Sequence, residues 1–192
     1  MNFIETLKII DGKPINLAYH HERIIRTIGH DIDFNIEIKD SNLLIGKVKY
    51  RFVYNAKGII DVSYKRYNIV PISSLKIVES NNIDYHKKYE NRDSLNKLLE
   101  LKDNCDDILI IKNGLLTDTS YCNIILKNKE ELITPSNCLL KGTKRAYLLD
   151  KRIIKEKVIS LDEIANYDSI ILINAMIDIE DNLIIPRRNI ID

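Results

Sequence analysis

The stretch Leu115 to Arg145 constrains the fold of this chain more than any other. Just upstream, the apolar run in DDILIIKNG reads as a strand. An acidic Thr-Asp-Thr-Ser turn around Asp118 follows, then a second apolar strand from Asn123 to Leu126, a polar hairpin-like connection and Thr134-Pro135. The stretch closes on Gly142-Thr143-Lys144-Arg145, which opens a helical segment, Ala146 to Lys151. A Gly-Thr step at a helix start offers backbone N–H groups, a hydroxyl donor and the positive end of the helix dipole, so it is a seat for phosphate. Asp118, at the mouth of a strand pair, is placed to hold a protonated heterocyclic nitrogen.

The remaining chain frames this stretch with short strands and helices. Phe3, Glu5, Leu7 and Ile9 alternate along an opening strand that turns at Asp11-Gly12. Leu17, His20, Ile24, Ile25 and Ile28 then recur at helical spacing, with Gly29 as the stop. Ile36 to Ile45 predicts a short helix, and Lys47 to Asn55, Gly58 to Arg66 and Tyr67 to Val70 predict strands. Pro71 to Ser74 is a linker candidate, dividing an N-terminal domain (1–72) from a C-terminal one (73–192). Beyond it, Leu75 to Glu79 reads as a strand, and Leu95, Leu98, Leu99 and Leu101 mark an amphipathic helix starting near Ser94. After the helix at 146–151, Lys157 to Ile159 predicts a strand, Ser160 and Glu163 a capping box, Ser169 to Asn174 a buried strand, and Asn182 to Ile185 a last strand before a polar tail. The pattern is α+β, as two small domains.

Bulk properties exclude several classes. The 192 residues are 45% hydrophobic and 30% charged, enough for a globular core. A net charge of +1 leaves no electrostatic footprint for nucleic acid or anionic membrane. Charges at Glu5, Lys8 and Asp11 break any signal-peptide apolar region, and no apolar run approaches membrane-spanning length, so the expected location is the cytoplasm. Cys105, Cys122 and Cys138 lack metal spacing and read as buried, reduced thiols. No predicted helix carries a histidine with a second ligand at i, i+4, so no metal site is expected. Gly142-Thr143-Lys144 lacks the upstream glycine of a nucleotide-triphosphate loop.

Several residues in order carry a resemblance. Asp118-x-Ser120-x-x-Asn123-Ile124, Thr134-Pro135 and Leu140-x-Gly142-Thr143-x-Arg145 together resemble the signature of the class IV aminotransferases, in which the first position is usually Glu. His20-x-x-Arg23-Ile24 resembles the family's helix arginine, the opening FIETLKI its Phe-Glu-Thr-Ile-Arg strand, and Lys88-Tyr89-Glu90-Asn91-Arg92 the Lys-x-x-Asn-Arg of its 4-amino-4-deoxychorismate lyases. Asn174-Ala175-Met176 is similar to the Asn-Ala-Leu those lyases commonly carry.

The resemblance implies a fold type IV enzyme like D-amino-acid aminotransferase, with pyridoxal 5'-phosphate in the cleft between two domains, and usually a homodimer. Lys88 would form the Schiff base and move protons, Asp118 would keep the pyridine nitrogen protonated, and Arg92 would stand near the phenolic oxygen. Arg23, Thr143 and the Gly142 to Lys144 amides would bind the phosphate, and Asn123 also falls in the cofactor set. Read by itself, Arg23 is a helix-surface arginine, Lys88 one solvated lysine among many and Arg92 a partner for Glu90 or Asp93. What separates Lys88 from Lys87, expected to be a surface cation, is its step to Arg92 and its place about thirty residues ahead of the acidic turn. Asn174 and Ala175 either hold the phosphate or substrate carboxylate, or Asn174 caps a strand end. The activity implied is release of 4-aminobenzoate and pyruvate from aminodeoxychorismate, for folate biosynthesis. The alternatives are an amino-acid transaminase of branched-chain or D-amino-acid type and a cofactor-binding relative with little catalysis; in each case the partner is a small amino substrate. Against the family the first half looks trimmed.

Overall fold

The computed structural model describes residues 1–43, 45–129 and 131–192. They form two compact units, residues 1–69 with Lys87–Asn91, and residues 70–86 with 92–192.

In the first unit β1 (Phe3–Ile10) turns through Asp11 and Gly12, both at positive φ, into β2 (Lys13–Pro14). Helix α1 (Leu17–Ile28) follows, stopped by Gly29 at φ 87°, whose N–H bonds the Ile25 carbonyl. Strands β3 (Lys47–Asn55) and β4 (Gly58–Arg66) form a hairpin across the predicted Asn55–Gly58 turn and complete a sheet of order β2-β1-β3-β4. β1 pairs with β3 along its whole length, Phe3 opposite Tyr54 and Ile10 opposite Lys47. That register brings Phe3, Leu7, Ile9, Val48 and Phe52 into one core with Ile24 of α1. Each such side chain contributes roughly 1.5–3 kcal/mol on burial. Positions 20, 23, 24 and 27 are the inward stripe of α1. Ile25, expected inside, lies outside that stripe and is exposed.

Two elements predicted in this unit are not found among the described residues. From Ile36 to Leu43 there is no α-helix, only a 3₁₀ turn at Ser41–Leu43, and Leu44 lies outside the described residues. Ile32, Phe34, Ile36 and Ile38 pack on the core at every second residue, so the period is that of extended chain. Tyr67 to Val70 forms no strand: Tyr67 N–H bonds the O of Lys47, the first residue of β3, at 3.0 Å, and the β3–β4 pairing ends there.

The second unit is built on β5 (Leu75–Glu79), helix α2 (Asp93–Leu99) and β6 (Asp107–Lys112), with β5 and β6 parallel. An Asn113-Gly114 turn leads into β7 (Leu115–Thr119), followed by β8 (Asn123–Lys127), β9 (Leu132–Pro135) and helix α3 (Thr143–Asp150). The short β10 (Lys155–Lys157), β11 (Ser169–Ile173), β12 (Ile184–Pro186) and β13 (Ile190–Ile191) complete it. The main strand order is β10-β9-β8-β7-β6-β5-β13, with β11 running antiparallel to β8 and β12 beyond it. Ile108 to Ile111, Ile124 to Leu126 and Ile170 to Ile173 are buried runs, as central strands require. Ser73 and Ser74 of the predicted linker are tied to Asp106, which accepts the Ser73 N–H at 2.7 Å. Glu163 accepts the Ser160 N–H at 2.9 Å, the expected helix-start bond. β10 lies two residues earlier than predicted because Lys155 pairs with Ile133 of β9, and part of the expected polar tail becomes β13, parallel to β5. Cys105 and Cys122 are buried thiols, while Cys138 is only half-buried. Among the described residues no helix is long and apolar enough to cross a membrane.

Candidate active site

The residues singled out in the sequence fall into two sets, one in each unit. In the first, the segment 87–91 lies along the start of β1. Ile4 N–H donates to Lys88 O at 2.9 Å, Glu90 N–H to Asn2 O at 3.0 Å, and the Tyr89 ring packs 5.6 Å from Phe3. The main chain is therefore held at Lys88 and Glu90, with the Tyr89 ring packed between them, and Lys88 is half-buried. Its neighbour Lys87 departs from the expected solvated state: its Nζ donates to Thr27 O at 2.8 Å, at the C-terminal end of α1 where carbonyls need donors.

Arg23 is not a surface arginine. It is buried with Glu5 and His20. Glu5 Oε1 accepts Arg23 Nε at 2.7 Å, and Oε2 accepts both Arg23 Nη2 and His20 Nδ1 at 2.6 Å. Burial by itself raises the Glu5 pKa, but the Arg23 charge and the bonds from His20 and Arg23 outweigh it and bring it down to about 2. Burial lowers the His20 pKa against the pull of Glu5, so the cluster holds one anion, one cation and a neutral imidazole. Glu5 is absent from the residues expected at the site. The signal for it is in the chain, since Glu5 shares the parity of Phe3, Leu7 and Ile9 and must point into the core with them.

In the second unit Asp118 lies inside β7 and not in a turn as expected, because Asn113-Gly114 makes the reversal upstream and Asp118 pairs directly with Asn123 of β8. Its carboxylate is buried. Oδ1 accepts Asn123 Nδ2 at 2.8 Å and Oδ2 accepts the Leu140 N–H at 2.9 Å. Burial pushes its pKa up to about 6 in spite of these bonds. Asn123 also donates to Leu140 O at 2.8 Å, clasping the 139–142 loop to the strand pair. That clasp explains Gly142: a Cβ there would collide with Asn123 Oδ1. Gly142→Ala is expected to cost about 1–3 kcal/mol of stability and to loosen the Asp118 contacts. A lower thermal midpoint and a faster-exchanging Leu140 amide check this.

Gly142 is the residue before α3, Thr143 is buried at the first helical position, and the first turn carries no acidic side chain. Gly142 and Thr143 therefore stand at the start of α3, where the sequence puts the anion seat. Two neighbours hold the helix in place. Lys144 pairs with Asp178 and lies 5.1 Å from the Tyr147 ring centroid. Arg145 donates to Thr134 Oγ1 at 3.2 Å and Pro135 O at 2.8 Å, and pairs with Glu156, which gives the Thr-Pro element its purpose. Arg92 takes neither acidic neighbour among its resolved contacts; its Nη2 donates to Ser120 O at 2.7 Å and its guanidinium lies 5.8 Å from the Tyr85 ring centroid. Asn174 has strand-end partners: Oδ1 accepts the Met176 N–H at 2.8 Å and its own N–H bonds Ile177 O, so it shapes the turn containing Ala175.

The chain matches the class IV amino-transferase family over residues 67–180. It is 33% identical over 181 residues to an uncharacterized Haemophilus influenzae protein, covering 90% of this chain and 96% of that one. Its fold matches the crystal structure of a candidate 4-amino-4-deoxychorismate lyase from Haemophilus somnus with a TM-score of 0.81 and 32% identity, over 91% of this chain and 96% of that one. A candidate amino-acid aminotransferase from Mesorhizobium loti matches with a TM-score of 0.76 at 18% identity, over 96% of this chain and 97% of that one, which is a likeness of fold.

Proposed function

The chain belongs to the class IV aminotransferases, a family of pyridoxal-phosphate-dependent enzymes, and from that premise we propose that it is a 4-amino-4-deoxychorismate lyase. The observation that carries the lyase reading is Lys88-Tyr89-Glu90-Asn91-Arg92, found in a chain that matches the Haemophilus somnus candidate lyase over nearly its full length.

The residues present suit pyridoxal phosphate. Asp118 is a buried carboxylate whose resolved hydrogen bonds are two N–H donors, and with a pKa of about 6 it gains most from a cationic N–H partner such as a pyridinium. The start of α3 suits a phosphate, with Thr143 adding a hydroxyl. When bound, this cofactor supplies an electron sink for the carbon next to the substrate nitrogen.

The chain's own residues then divide the work. Asp118 would keep the pyridine nitrogen protonated. Thr143 and the amides of α3's first turn would hold the phosphate, and Arg23 would add a guanidinium. The Lys88 amine takes the proton from C4 of the substrate ring and returns a proton to the methylene carbon of the departing enolpyruvyl group. Atoms balance without a second substrate: aminodeoxychorismate becomes 4-aminobenzoate and pyruvate, and aromatisation of the ring drives the cleavage.

The test is a product assay with purified protein, pyridoxal phosphate and aminodeoxychorismate. Equal amounts of pyruvate and 4-aminobenzoate are expected with no keto acid added. Turnover of an amino acid only when a keto acid is supplied would replace the lyase with a transaminase. A bound cofactor with neither reaction would leave a binding protein.

A further inference from the structure

The reading above uses Arg23 and Lys88 but has no task for the Glu5 and His20 side chains buried beside them. Three donors converge on the two oxygens of Glu5, and α1 sets His20 and Arg23 one turn apart so that both reach it. A buried ion pair adds little to stability compared with apolar packing of the same volume. What it does impose is orientation, because a two-point guanidinium–carboxylate contact fixes the plane of the arginine. The same carboxylate fixes a tautomer. With Nδ1–H donated to Glu5, a neutral His20 carries its lone pair on Nε2.

Lys88 is close to this cluster. Its carbonyl accepts the N–H of Ile4, the residue preceding Glu5, and its charge acts on the His20 ring. The groups facing Glu5 are His20 and Arg23 from α1 and Tyr54 from β3, and the Arg23 and Lys88 charges both oppose protonation of His20. Tyr54 is itself pushed up to about 12, by burial first and the Glu5 charge second, and stays a neutral hydroxyl.

We propose that Glu5 and His20 are positioning residues: Glu5 fixes the plane of the Arg23 guanidinium and the tautomer of His20, giving the first unit a pre-oriented anion partner and a neutral imidazole acceptor near Lys88. This rests on the reading that Lys88 carries pyridoxal phosphate and Arg23 faces its phosphate. It follows that Glu5, which touches no ligand, controls how well the protein distinguishes pyridoxal phosphate from pyridoxal.

Two measurements on the full chain test it, comparing wild type with Glu5→Gln. The first uses protein without cofactor, where ¹⁵N NMR of the His20 ring is expected to show a single neutral Nδ1–H tautomer at about pH 7 and above. In Glu5→Gln that single tautomer is lost. The second is absorbance titration with pyridoxal phosphate and with pyridoxal, where Glu5→Gln is expected to reduce the preference for the phosphorylated form by about tenfold or more. A merely structural role would weaken both ligands alike.

Each failure reads differently. If wild type shows no cofactor band with either ligand, the enzyme reading fails, and the NMR arm still decides whether Glu5 sets the His20 tautomer. If wild type binds and Glu5→Gln keeps both tautomer and preference, the positioning role is overturned and the enzyme reading stands. If Glu5→Gln does not fold, Arg23→Lys keeps the charge and removes the fork; it is expected to lose the same preference, and an unchanged preference overturns the proposal.

Discussion

Lys88→Ala is expected to abolish the cofactor band at about 410–430 nm and to lower kcat/KM by at least about a thousandfold, the range for removing a nucleophile that is also the general base. The fold should survive. The main chain at Lys88 is held by Ile4, and Tyr89 and Glu90 by Phe3 and Asn2, none of which involves the Lys88 side chain. Truncating a half-buried side chain should change stability by about 1 kcal/mol. Lys87→Ala is the control, since Lys87 is spent on the Thr27 carbonyl; it should keep the band and lose some stability. A band that persists in Lys88→Ala and vanishes in Lys87→Ala would transfer the role to the neighbour.

The local patterns that are readable in the sequence are those where one physical signal dominates. Alternation in β1, β3 and β4, the Asn55–Gly58 turn and the glycine stop of α1 are all short-range effects of backbone geometry, and each is found where the pattern puts it. The misses arise where two periods compete. Ile32, Phe34, Ile36 and Ile38 alternate, but Leu43 and Ile45 extend the apolar run far enough to resemble a helix. Asp118 reads as a turn residue because Thr-Asp-Thr-Ser is polar; the register with Asn123 that makes it a strand residue is a long-range fact. Asn123 and Gly142 share that origin. Their motif spacing is visible in the chain, but the reason for it is a clasp between β8 and the loop before α3, which only folding brings together. Glu5 is the converse case, a charged residue on a core parity whose partners, His20 and Arg23, are visible on the helix without any sign of what they enclose.

Asp118→Asn is expected to separate stability from function. Asp118 rises from its ordinary 3.8 to about 6 on folding, so its neutral form is the one the fold prefers. Its contribution to stability is fully present below pH about 4 and is lost as the pH climbs through about 6. The loss in protein without cofactor approaches about 3 kcal/mol above that pH. Glu5 works in the opposite sense: lowered from 4.5 to about 2, it stabilises the fold above pH 4.5 and ceases to as the pH falls through about 2. Cofactor-free wild type should therefore be most stable near about pH 4 as far as these two groups decide it. The amide of Asp118→Asn cannot ionise and still offers an oxygen to Asn123 or Leu140, so the cofactor-free variant should melt higher than wild type at pH 8 and no higher at pH 4. Activity should fall by about a hundredfold or more, the scale for losing one pre-oriented electrostatic partner. The same argument fixes the effect of loading. A pyridinium beside Asp118 restores the charged form, so pyridoxal phosphate should raise the wild-type melting temperature more at pH 8 than at pH 5, and Asp118→Asn should show no such difference. Melting curves of both proteins at the two pH values, with and without cofactor, decide it; parallel curves for wild type and variant would remove Asp118 from the pyridine site.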